Sequence, residues 1–257
     1  MNIQDAIIPF HPKDKATVEM CCESLRNVMG IQRIFLISSE DPNIPNTSYI
    51  DEKSIKNIIS VEEIENYWKS NNGKWSSRAG WIYQQLLEIG TSLYIDDLSE
   101  DYMTCDSDIV FLKNPYLNIN KTGVFPYDKA YTGEYHTDYR SHYDRLMKEP
   151  TTSGISFINH HMIHNKHFMN ELKSFIENKH NKRWDLAILH TLNLDDFSGF
   201  ACDDLYGNYM IKYHADNCIK TDIKIKDITW IPIKTELSSL QHDYHIVSCQ
   251  QWRRSKK

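Results

Sequence analysis

YMTCDSDIVFLKNP, residues 102–115, places two carboxylates, Asp106 and Asp108, one residue apart between two segments that ask for burial. An apolar run ending at Cys105 leads into the pair, and IVFL leads out of it. At the C-terminal end of a strand, residues i and i+2 share a face, so both carboxylates can reach one point in the crevice where α/β proteins bind ligands. Hard oxygen donors at that point suit Mn²⁺ or Mg²⁺, which keep some water and take further ligands from a phosphate. The pattern predicts a cation–diphosphate clamp on Asp106, Ser107 and Asp108, with an ordinary Asp-Ser-Asp surface turn as the alternative. DSDIV also fits the DxDx[TV] pattern of haloacid-dehalogenase-type phosphatases, although about a hundred residues of βα pattern precede it here.

The fold around this stretch follows from hydrophobic periodicity. DAIIPF (5–10) reads as a short buried strand. KDKATVEMCCESLRNVMG (13–30) reads as a helix with Val18, Cys21, Cys22, Leu25 and Val28 at helical spacing and Gly30 to end it. IQRIFLISS (31–39) is a second strand, which completes a βαβ unit. The expected class is therefore α/β, with a mostly parallel central sheet flanked by helices. Further helices are predicted near Val61–Lys69, over SSRAGWIYQQLLEIG (76–90) with Trp81, Ile82, Leu86 and Ile89 facing the core, and over 142–149, 166–180 and 203–213. KTGVFPYD (121–128) and SGISFINHHMI (153–163) read as strands.

Composition narrows the classes. With 257 residues, 40% of them hydrophobic, the chain is expected to form one domain with a substantial core. A formal charge of −6 gives no footprint for a nucleic-acid backbone. The six cysteines, at 21, 22, 105, 202, 218 and 249, form no CxxC pair, which predicts a reduced intracellular protein. The N-terminus lacks a signal-peptide pattern, and no apolar run approaches the roughly 18 residues of a membrane span. A soluble, cytoplasmic protein of bacterial or viral origin, with host cytosol as one location, is the expectation.

The blocks IIPFHPKD, SSRAGWIYQQLLEI, YMTCDSDIVFLKNP, ISFINHHMI, DDLYGNYM and HIVSCQQWRR occur in the order seen in a poorly characterised family of DxD glycosyltransferases of type A fold, which the chain resembles over nearly its whole length. The resemblance implies a Rossmann-like domain over residues 1–257, with a nucleotide-sugar half to about residue 115 and an acceptor half beyond it. It also implies a UDP-sugar or other nucleoside-diphosphate sugar donor, a hydroxyl acceptor such as a carbohydrate, and Mn²⁺ or Mg²⁺ on the DxD. By the same analogy Pro9, Phe10 and Lys13 flank base and ribose, and Asp204 aligns with an expected general base. A late segment supplies a further metal contact at Gln250, where similar sequences often carry His; Cys202 stands where they often carry Glu.

Other candidates come from the residues themselves. Arg78 opens a helix, where a guanidinium can bind a diphosphate or pair with Asp106. Asp203 and Asp204 open another, as an acidic cap and first turn or as a base for an acceptor hydroxyl. His160 and His161 are expected to end a strand at the cleft and to bond a sugar hydroxyl; NHHMIHNKH lacks the Cys or Glu that would complete a zinc set. Arg253, beside Trp252 and Arg254, is expected near the diphosphate. The expected function is metal-dependent sugar transfer, with nucleotide-sugar binding without turnover, or phosphatase chemistry, as alternatives.

Overall fold

A computed structural model describes residues 3–117, 123–127, 134–151, 156–197 and 199–250. β1 (Asp5–Pro9) is buried along its whole length. It leads into α1 (Lys15–Ser24), which widens into a π turn at Leu25–Met29 and stops at Gly30, whose φ of 75° is the left-handed conformation a glycine adopts at little cost. β2 (Arg33–Ser38), β3 (Ser48–Asp51) and α2 (Val61–Ser70) follow, α2 opening with a Ser60–Glu63 capping box. Next come α3 (Ala79–Ile89), β4 (Asp101–Cys105), β5 (Ile109–Phe111), β6 (Gly123–Tyr127), α4 (Glu134–Met147), β7 (His161–Asn165) and α5 (Lys166–His180). The remaining elements are α6 (Trp184–Thr191), α7 (Cys202–Tyr213), β8 (Cys218–Asp222), β9 (Ile225–Ile228), α8 (Lys234–Leu240) and β10 (Ile246–Cys249).

The fold is mixed α/β, as expected. A five-stranded sheet runs β3-β2-β1-β4-β7, parallel throughout except for the antiparallel β4–β7 pair. The chain moves outward from β1 through β2 and β3, then crosses to the other side of β1 at β4. That reversal makes a topological switch point at the C-terminal ends of β1 and β4, the place where open α/β sheets bind ligands. A small sheet, β5-β10-β9, lies beyond it, and β6 pairs with β8.

Strand alternation divides the core. Ile7, Phe35, Ile37, Tyr102 and Met162 pack with α2, α3 and α5 to α7, while Ala6, Ile8, Ile34, Leu36, Met103 and Ile163 pack with α1. α7 lies close against Phe157: a Cβ on Gly207 would stand 2.2 Å from its ring. Gly207→Ala is therefore expected to destabilise the fold by about 1–3 kcal/mol through overpacking. Thermal unfolding reads the effect, and an unchanged midpoint would show that Phe157 can yield freely.

Several boundaries differ from the sequence reading. The strand expected over 153–163 begins only at His161 and runs to Asn165. β3, α6, α8 and the β5-β10-β9 sheet had not been expected; their runs are short or weakly periodic, and tertiary pairing supplies what local pattern lacks. Among the described residues no helix is long and apolar enough to cross a membrane.

Candidate functional site

Asp106, Ser107 and Asp108 form the turn from β4 to β5 instead of lying on a strand, so the strand-end and turn readings each hold in part. The turn is held from both sides. Asp106 donates its N–H to His160 O at 2.8 Å, and Asp108 O accepts from Cys249 N at 2.7 Å. These bonds extend the β4–β7 and β5–β10 ladders, so two pairings bring residues from distant parts of the chain to one point.

Side chains complete the arrangement. His160 Nδ1 lies 2.9 Å from Asp106 Oδ2, and its Nε2 lies 3.9 Å from Asp227 Oδ1 on β9. The ligating atoms of Asp106, Asp108 and His160 lie within 4.8 Å of one another. Gln250, just past β10, has its Nε2 3.4 Å from His160 Nε2, and its buried Oε1 has no hydrogen-bond partner. From α3, Gln84 Nε2 donates to Asp106 Oδ1 at 3.4 Å and to Glu88 Oε1 at 3.3 Å.

Electrostatics mark this cluster as short of positive charge. Burial, then the nearby Asp106, pushes the Asp108 carboxyl up to about 6, with His160 opposing the shift. Asp203 is raised well above the usual carboxylate range by burial and by Asp106. Glu88 is raised likewise, by burial, Asp203 and Asp106. Burial alone would lower His160, but its hydrogen bond to Asp106 and the charges of Asp106, Asp108 and Asp227 outweigh it and raise the imidazole pKa. The three carboxylates thus favour the protonated form of His160, and a divalent cation offers a stronger counter-charge.

Asp203 and Asp204 start α7 but do not cap it, since the cap position is Ala201 and makes no side-chain bond. They face different neighbours. Asp203 lies toward Asn159 and Asp106. Asp204 Oδ1 accepts from Phe157 N at 3.2 Å, its Oδ2 is buried without a partner, and burial pushes its carboxyl up to about 6.

Pro9 and buried Phe10 lie at the C-terminal end of β1, with Phe10 N–H bonded to Ile37 O at 2.9 Å, and exposed Lys13 sits in the short turn before α1. His160 lies at the β4–β5 turn, bonded to Asp106. His161 is corrected outright. It is 1% exposed, its Nε2 lies 2.5 Å from Tyr116 Oη, and its ring packs edge-on to Phe111, so it belongs to the core. Arg78 does not steer Asp106, whose partners are Gln84 and His160; its guanidinium lies 4.3 Å from the Trp81 ring and 4.7 Å from Phe197, and its Nε donates to Phe197 O. Arg253 lies outside the described residues.

Gln84, Glu88 and Asp227 escaped the sequence reading. Glu88 had a signal, an acid inside the apolar run LLEIG of a core-facing helix. Asp227 had none, because it reaches the site only through the pairing of β9 with β10.

No protein-family profile matches the sequence, and no curated protein matches it significantly. Solved structures similar to it include mouse xyloside xylosyltransferase 1 in its apo form, with TM-score 0.48 and 11% identity over 95% of this chain and 97% of that one. Another is the galactosyltransferase LgtC with donor and acceptor sugar analogues, with TM-score 0.45 and 9% identity over 95% and 86%. An active-site mutant of LgtC gives TM-score 0.46 and 8% identity over the same shares.

Proposed function

We propose that the protein transfers a sugar from a nucleoside-diphosphate sugar, UDP-sugar favoured, to an acceptor hydroxyl, with Mn²⁺ or Mg²⁺ on Asp106, Asp108 and His160. The observation that carries this reading is the convergence of those three ligand groups at the C-terminal crevice of β1 and β4. The donor set fits such a cation: two carboxylates and an imidazole, a carboxyl raised for want of positive charge, and an orphaned amide oxygen at Gln250 beside them. Bound there, the ion supplies positive charge to the departing diphosphate.

The chain's own groups take the remaining roles. Residues up to about 115, with Pro9, Phe10 and Lys13 at the crevice, carry the nucleotide in this reading, and the rest carries the acceptor. Asp204 is the proton acceptor. Phe157 N–H and the Asn208 side chain hold the carboxylate, and in this reading the buried Oδ2 takes the hydroxyl proton once the acceptor reaches it. A carboxyl near 6 is ionised at neutral pH yet more basic than a solvated one, as a general base requires. Asp203, which burial and Asp106 hold toward its protonated form, is not assigned that role.

Isothermal titration with UDP, with and without Mn²⁺, followed by a donor-hydrolysis assay on UDP- and GDP-sugars, tests the reading. Cation-dependent UDP binding with donor turnover is expected. Binding with neither hydrolysis nor transfer would make the protein a nucleotide-sugar-binding module. Release of phosphate from a generic ester with Mg²⁺, without nucleotide affinity, would restore the phosphatase alternative.

The cation site should also depend on pH. Burial and Asp106 hold Asp108 near 6, and Asp106 and Asp108 raise His160, so protons compete with the ion at both groups as pH falls. The rise in melting temperature on adding Mn²⁺ is expected to be larger at about pH 7.5 than at about pH 5. Equal rises would show that Asp108 does not ligate the ion.

A further inference from the structure

A second cluster lies where β7 meets the start of α7. His164, fully buried on β7, has its Nε2 3.0 Å from Thr104 Oγ1, while its Nδ1 has no partner. Cys202, also fully buried, and Asp203 begin α7, and Cys202 N donates to Gln85 Oε1 at 2.8 Å, which fixes the helix start. One ligand atom from each of His164, Cys202 and Asp203 lies within 4.8 Å of the other two. The Tyr102 and Tyr206 rings stand against the imidazole, with centroids at 5.5 and 4.8 Å.

The donor chemistry differs from that of the Asp106 clamp. In the tautomer that donates Nε2–H to Thr104 Oγ1, the one that metal binding selects, the partnerless Nδ1 presents a bare lone pair in the protein interior, the arrangement that outer hydrogen bonds impose on metal-binding histidines. A buried acceptor with nothing to accept from is costly, and a cation removes that cost. Imidazole nitrogen, thiolate sulfur and carboxylate oxygen together suit a borderline-soft ion; Mn²⁺ and Mg²⁺ do not favour a thiolate. Glu88 adds negative charge from the side of α3.

We propose that His164 Nδ1, Cys202 Sγ and Asp203 hold a Zn²⁺ ion that pins the first turn of α7 to β7 beside the crevice. On binding, the Cys202 thiol proton and any proton on the Asp203 carboxyl pass to solvent, and both groups coordinate as anions. Asp203 is then a structural ligand, and the site stands whether or not the protein transfers sugars.

The test uses the full chain, stripped of metal by chelation and titrated with Co²⁺ in excess Mg²⁺, which competes for the oxygen-rich clamp. One equivalent of Co²⁺ is expected to give a thiolate-to-cobalt charge-transfer band, and Zn²⁺ to abolish it. Cys202→Ser should remove the band and Cys105→Ser should keep it. His164→Gln should weaken Zn²⁺ binding at least about tenfold. X-ray absorption of the zinc-loaded wild type, which needs no variant to fold, should show one sulfur at about 2.3 Å. Absence of the band in the wild type, its survival in folded Cys202→Ser, or a zinc shell of nitrogen and oxygen alone overturns the proposal.

Discussion

Asp108→Ala is expected to lower Mn²⁺ affinity about 100-fold or more and to remove the cation-dependent part of UDP binding, while the far-ultraviolet circular dichroism stays unchanged. The carboxylate is one of three ligand groups that converge, so its loss leaves two. The fold should tolerate its loss because the contact that closes the turn is made by backbone, from Cys249 N to Asp108 O. The stability change even has a favourable sign. A carboxyl raised to about 6 by burial and by Asp106 is a strained charge at neutral pH, so without cation the alanine variant should unfold no earlier than the wild type above that pH. Asp106→Ala should lose cation binding too, but it also strands His160 and Gln84, so its stability gain should be smaller. UDP affinity in Mn²⁺ equal to wild type in both variants would refute the clamp.

Asp204→Asn is expected to reduce transfer by about 10²–10⁴-fold while donor affinity stays within about twofold. The amide oxygen can keep the bond from Phe157 N, so size and position survive, but the group can no longer take a proton. The pH profile gives a second readout that a purely structural role would not move. With Mn²⁺ kept saturating at every pH, wild-type turnover should fall as pH drops through about 6, where Asp204 becomes protonated, and this limb should vanish from the residual activity of the variant. Loss confined to Asp203→Asn would transfer the base role to that residue. Full activity in both variants would mean that no base acts at the start of α7, as in a retaining transfer.

The sequence by itself determined the elements whose burial is periodic and local. The runs of β1, α1, β2 and α5 carry their own period, start and stop, and α5 ends where its pattern ends, at His180. It also set Asp106 and Asp108 between two buried apolar segments, the end of one strand and the start of the next. Tertiary structure decided what surrounds them. His160 and His161 are adjacent and chemically alike, yet the register that sets Cys105 opposite His161 buries one ring against Tyr116 and holds the other on Asp106. A strand has period two, so a shift of one residue would exchange them, and only the burial of a whole sheet face selects the register. Gln250 likewise reaches His160, 90 residues away in sequence, through β10 pairing with β5, and Asp227 through β9 pairing with β10. Local propensity describes one segment at a time, whereas these contacts arise when several segments bury their apolar faces together and carry their polar ends to the same crevice.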